Sequence, residues 1–132
     1  MTGSVPRKTT TQFFVASAVM EAAAGLALLM TPNLVIRLLL AGPVTNTHVA
    51  LGRLAGAALL ALGAACWWAR ADAGSAASRA LVVGMSVYNA AVMAVVLAGN
   101  FGSPSRPILW VATLVHGAMT AWSVWLLRSG RP

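Results

Sequence analysis

The stretch Ala80–Ala98, ALVVGMSVYNAAVMAVVLA, runs for nineteen residues without a charge. As an α-helix rising 1.5 Å per residue it would measure about 28 Å, close to the roughly 30 Å of hydrocarbon in a bilayer. Working outward, Gln12–Met30, Val49–Ala69 and Pro107–Leu127 meet the same requirement of length and apolarity. Punctuation falls between them. Thr31-Pro32-Asn33 closes the first run and Thr45-Asn46-Thr47 offers caps to the second. Gly99-Asn100 ends the third, and Pro107 suits the first turn of the fourth.

Composition agrees. Of 132 residues, 59% are hydrophobic and 8% charged, and the mean hydropathy is +0.81. A soluble domain carries about 25% charged residues, so too few polar side chains remain to cover a globule in water. The expected fold is therefore all-α: an integral membrane four-helix bundle forming one domain over residues 1–132.

The net charge of +7 arises because nine bases face only two acids, Glu21 and Asp72. The bases are scattered singly, without the aromatic-interleaved patch that a nucleic-acid strand needs, so no nucleic-acid partner is expected. They orient the spans instead. Arg7, Lys8, Arg70, Arg79, Arg128 and Arg131 fall on one side, Arg37 and Arg106 on the other. Six against two places both termini in the cytoplasm. Phe13, Phe14, Trp67, Trp68, Trp122 and Trp125 fall near the inner interface, Phe101 and Trp110 near the outer one. A signal-peptide reading with Ala22-Ala23-Ala24 as cleavage site is weaker, because Glu21 interrupts the apolar core and the run continues to Met30. Asn33–Ala41 is expected to form a short amphipathic helix on the outer interface, with Arg37 towards water.

Helices associate in lipid through close backbone approach and internal hydrogen bonds. Gly52-Arg53-Leu54-Ala55-Gly56 is a G-x-x-x-G, and Ala18, Ala22 and Gly25 offer small residues at comparable spacing. The motif leaves open whether its partner lies in the same chain or in another copy.

Polar residues inside the spans are costly, about 2.5–3.5 kcal/mol for a charge at the helix centre on insertion scales. Each span carries one: Glu21, Arg53, Asn89 and His116. Thr113, His116, Thr120 and Ser123 recur at steps of three and four, which aligns them on one helix face. Ser17 lies one turn from Glu21; Ser86 and Met93 share a face with Asn89, with Tyr88 beside it. Turned inward, these stripes would line one polar core. Glu21 and His116 are the candidates for proton chemistry there. Arg53 would hold an anionic or carbonyl group and reach Glu21 as its counter-ion. Tyr88, Asn89, Thr113 and Thr120 would bind and orient the ligand. The plainer alternative is that the set only fastens helices together, at about 0.6 kcal/mol per hydrogen bond.

Several cofactors fit poorly. The sole lysine, Lys8, is near the N-terminus, so retinal has no intramembrane Schiff-base partner. His48 and His116 differ in depth by more than two turns, which argues against bis-His haem and against a di-metal site. Cys66, a lone cysteine, excludes an internal disulfide and reads as a small apolar filler.

Two families share features with the chain. Small multidrug transporters also place a glutamate in the first helix, as Glu21 is here, but the match goes no further. The stretch Glu21–Arg70 contains E-x-x-x-G-L, TPNLVIRLLL and GRLAGAALLALG, and it resembles small DoxX-like four-helix bacterial membrane proteins over about half the chain. Members named for thiosulfate:quinone oxidation imply a quinone-adjacent role, with four helices around a lipid-soluble substrate. The expected function is binding of a small lipophilic or amphiphilic molecule at an intramembrane polar site, with membrane lipids as the other partners. A proton-coupled transporter or channel acting as a homodimer, and a structural subunit of a larger membrane complex, are the alternatives.

Overall fold

The structure, a computed structural model, describes residues 7–40, 42–100 and 107–129. Of these, 92% are helical. The helices are α1 (Arg7–Met30), α2 (Pro32–Leu39), α3 (Asn46–Ala69), α4 (Ala76–Asn100) and α5 (Pro107–Ser129). Four of them, α1, α3, α4 and α5, are long and apolar enough to cross a membrane. The chain is a multi-pass membrane protein by length and composition. Ala41, Phe101, Arg106 and Arg131, used above for the short helix and the sidedness, lie outside the described residues.

The helices run beyond the apolar runs. α1 begins at Arg7 rather than Gln12, α3 at Asn46 rather than Val49, and α4 at Ala76 rather than Ala80. Hydropathy marks where the bilayer ends, whereas capping decides where the helix ends. At α3 the Thr45 Oγ1 accepts from the His48 backbone N–H at 3.3 Å, and the Thr45 N–H donates to His48 Nδ1 at 3.2 Å. This is a capping box with histidine in the position usually taken by Glu or Gln. At α4 the cap is Ser75, whose Oγ accepts from the Ser78 N–H at 3.0 Å. Asp72, in the short 3₁₀ turn Arg70–Asp72, contributes its backbone carbonyl to the Ser75 N–H.

The chain divides into two compact units, Phe14–Ala71 and a second made of Met1–Phe13 with Asp72–Pro132. In the first, α1 and α3 pack antiparallel through glycine. A Cβ on Gly25 would lie 2.7 Å from the Gly56 carbonyl oxygen, and one on Gly56 would lie 2.8 Å from that of Gly25. One turn and more along, a Cβ on Gly63 would meet the Ala18 carbonyl and the Ala22 nitrogen at 3.1 Å. Only glycine lets the backbones come this close. Gly52 takes the Ile36 side chain of α2, where a Cβ would lie 2.9 Å from Cδ1. Both glycines of the G-x-x-x-G are thus occupied within the chain. The Pro32–Leu39 helix buries Pro32 and Ile36 and leaves Leu34, Leu38 and Leu39 exposed.

In the second unit α4 packs along α5. Phe13, at the start of α1, meets Trp122 of α5 edge-to-face with ring centroids 5.6 Å apart. The Ser86 Oγ of α4 donates to the Ser123 Oγ of α5 at 2.6 Å, and Ser123 passes its own proton to the Thr120 carbonyl at 2.8 Å. That pair ties the helices together without leaving a hydroxyl unsatisfied, as lipid requires.

Candidate functional site

Asn89 and His116 sit near the middle of α4 and α5 and are joined directly. The Asn89 Nδ2 donates to the Met85 carbonyl one turn back at 2.8 Å. Its Oδ1 therefore faces His116 Nδ1, also at 2.8 Å. An amide oxygen only accepts, so Nδ1 carries the hydrogen. In the neutral ring the second nitrogen, Nε2, is then an acceptor, and in the imidazolium it is a donor. Asn89 is 1% exposed while His116 is half-buried. No described residue bonds Nε2.

Tyr88 stands edge-on to the imidazole, with centroids 5.9 Å apart at 82°. An aromatic edge is the positive part of the ring, so this contact also holds the imidazole in one plane. Met93, a turn further along α4, packs over Gly117, where a Cβ would lie 3.2 Å from its sulfur. Removing a side chain at 117 brings the α4 backbone and its polar stripe towards α5.

Thr113 and Thr120 flank His116 on α5, but their hydroxyl protons are committed. Thr113 donates to the Leu109 carbonyl and Thr120 to the His116 carbonyl, each at 2.8 Å. They retain lone pairs and can only accept from a ligand. Among the sequence candidates, the structure thus brings together Tyr88, Asn89 and His116, with the two threonines alongside in reduced roles.

Glu21 and Arg53 belong to the Phe14–Ala71 unit. Glu21 is 3% exposed, and its Cβ lies 3.4 Å from where a Cβ on Gly63 would be. Arg53 is exposed and makes no ion pair among the described residues. It precedes Gly63 by ten residues of helix, about 15 Å along the axis. The structure does not bring it to Glu21. Ser17, one turn from Glu21, is fully buried with an Oγ that has no hydrogen-bond partner among the described residues. Its spacing from Glu21 put it on the inward stripe, as found.

His48 is used in the α3 capping box, and Cys66 is buried in α3. No group of three or more His, Cys, Asp or Glu able to hold a metal ion comes together among the described residues.

Compared with known proteins, the chain matches no family model, no curated protein and no solved structure. Function therefore has to come from the residues themselves. What these can do is specific: a polarised imidazole, held by an amide in the middle of two membrane-spanning helices, presents one nitrogen that can accept or donate.

Proposed function

We propose that this chain binds a small lipophilic molecule bearing a hydroxyl or carbonyl oxygen, quinone-like in its chemistry, at the polar site around His116. The reading rests on one observation, the Met85–Asn89–His116 hydrogen-bond chain at midspan. A histidine serving only as a fastener between α4 and α5 would be finished by its bond to Asn89; the backing bond to Met85 goes further and fixes which ring nitrogen is presented. His116 Nε2 accepts from a ligand hydroxyl in the neutral state and donates to a ligand carbonyl as the imidazolium. Tyr88 walls the ring on one side, and Thr113 and Thr120 offer lone pairs to a ligand donor. The resemblance of Glu21–Arg70 to DoxX-like proteins points to the same ligand class. The excess of basic residues on one side supports cytoplasmic termini, and the DoxX-like resemblance supports a bacterial plasma membrane.

The test uses the full chain in mild detergent with decylubiquinone as the probe, read by quenching of tryptophan fluorescence. His116→Ala and Asn89→Leu each weaken binding by about tenfold, the loss of a hydrogen bond or two in an apolar site, with helical content unchanged. Wild-type affinity in His116→Ala would falsify the proposal. Glu21 is a buried carboxyl group in a span; loss of probe binding in a folded Glu21→Gln variant assigns it to the same function.

A further inference from the structure

A groove of about 430 Å³ opens along the α1–α3 pair, lined chiefly by Ala18, Ala22, Gly63 and Ala64, with Val19 and Leu60 on its flanks and Trp67 and Trp68 at one end. Its volume falls within the roughly 300–1,000 Å³ of small-molecule sites. From Leu60 to Trp68 it follows α3 for eight residues, about 12 Å of rise, all of it within membrane-spanning segments. Small side chains form the floor because the glycine contacts of α1 and α3 require them there. Val19 is 59% exposed and Trp68 78% exposed, so the groove opens to the outside of the pair.

Its tryptophan end is charged. The Arg70 guanidinium carbon lies 3.7 Å from the centroid of the Trp67 ring, which anchors the cation beside the mouth of the groove. We infer that the groove holds an acyl chain of an anionic phospholipid, with Arg70 at its phosphate. An acyl chain matches the apolar floor, tryptophans belong at the headgroup level, and a guanidinium bonds phosphate through its planar fork. Charge selects this occupant over a second copy of the chain. A second copy carries the same +7; of its two acids Glu21 is buried, and Asp72 stands between the bases Arg70 and Arg79, so the end it would bring to Arg70 is itself net positive. An anionic lipid brings a negative charge on every molecule. This site is separate from the His116 proposal and stands or falls without it.

Native mass spectrometry of the full chain, purified in detergent and offered equimolar dioleoylphosphatidylglycerol and dioleoylphosphatidylcholine, tests it. The wild type retains phosphatidylglycerol over phosphatidylcholine by about fivefold, the scale of one basic residue acting on an anionic headgroup. Arg70→Gln, at the helix end, abolishes that preference, and Arg70→Lys keeps part of it. Ala64→Phe fills the groove from its open side and lowers retention of both lipids, with circular dichroism unchanged. Equal retention of the two lipids by the wild type overturns the inference, as does an unchanged preference in Arg70→Gln. A dimer that Ala64→Phe dissociates, with lipid retention unaltered, assigns the groove to a second copy instead.

Discussion

At the scale of the residue, the chain separates glycines that must be glycine from those that need not be. Gly25 and Gly56 each face the other's carbonyl oxygen, so any side chain at either would strike backbone, which cannot move aside as a flexible side chain does. Gly84 of α4 has open space where its Cβ would be. Gly56→Val is expected to destabilise by about 1–3 kcal/mol through overpacking, whereas Gly84→Ala is neutral or stabilising by up to about 1 kcal/mol. Thermal unfolding in detergent, followed by circular dichroism, checks both. A Gly56→Val variant that melts with the wild type would mean that the α1–α3 contact does not carry stability. The polar residues follow a similar division. Two stripes at helical spacing grouped Asn89 and His116 as members of one polar core, but did not show their direct hydrogen bond, which depends on the register of α4 against α5. The depth of Arg53 was not legible either, because depth within a span depends on where two helices cross. Gly25 and Gly56 set that crossing, and it puts Arg53 level with Leu28 rather than Glu21.

At the scale of the element, four spans and a short helix between the first two could be read from apolar runs and their punctuation. The extra turns could not, since they are built from polar residues that hydropathy excludes. α4 gains Ala76–Arg79 because Ser75 caps it, and α3 gains Asn46-Thr47-His48 because Thr45 does. The second cap is open to a sharp test. Thr45→Ala removes the acceptor for the His48 N–H and costs about 1 kcal/mol. Hydrogen exchange should speed up at Thr47–Val49 and stay unchanged in α5. His48→Ala takes away the reciprocal bond to the Thr45 N–H and so accelerates exchange at Thr45. If neither variant alters exchange in this turn, the capping box does not hold the start of α3. The role found for His48 also explains why a histidine stands at a helix start, with no ligand needed to account for it.

At the scale of the whole molecule, the imbalance of two acids against nine bases becomes a statement about sidedness. The described helices put Arg7 and Lys8 at the start of α1, Arg70 after α3, Arg79 in the first turns of α4 and Arg128 at the end of α5. Arg37 alone lies in the segment between α1 and α3. Each charge that is kept cytoplasmic avoids translocation, and the excess on one side sets orientation for loops as short as these. Single-cysteine labelling tests the assignment, because Cys66 is buried and can be replaced by Ala to leave a cysteine-free background. In that background Arg37→Cys is expected to react with a membrane-impermeant maleimide in intact cells. Asp72→Cys, in the exposed turn after α3, is expected to react only after the membrane is opened. The charge argument predicts more than two isolated labels: adding Arg37-side bases should weaken the bias. Inserting two lysines after Gly42 gives four bases on that side against six on the other, and a measurable fraction of inverted molecules should appear, seen as Asp72→Cys labelling in intact cells. Labelling of Asp72→Cys from outside in the otherwise unaltered chain would reverse the orientation, and with it the side of the membrane on which Arg70 meets its lipid.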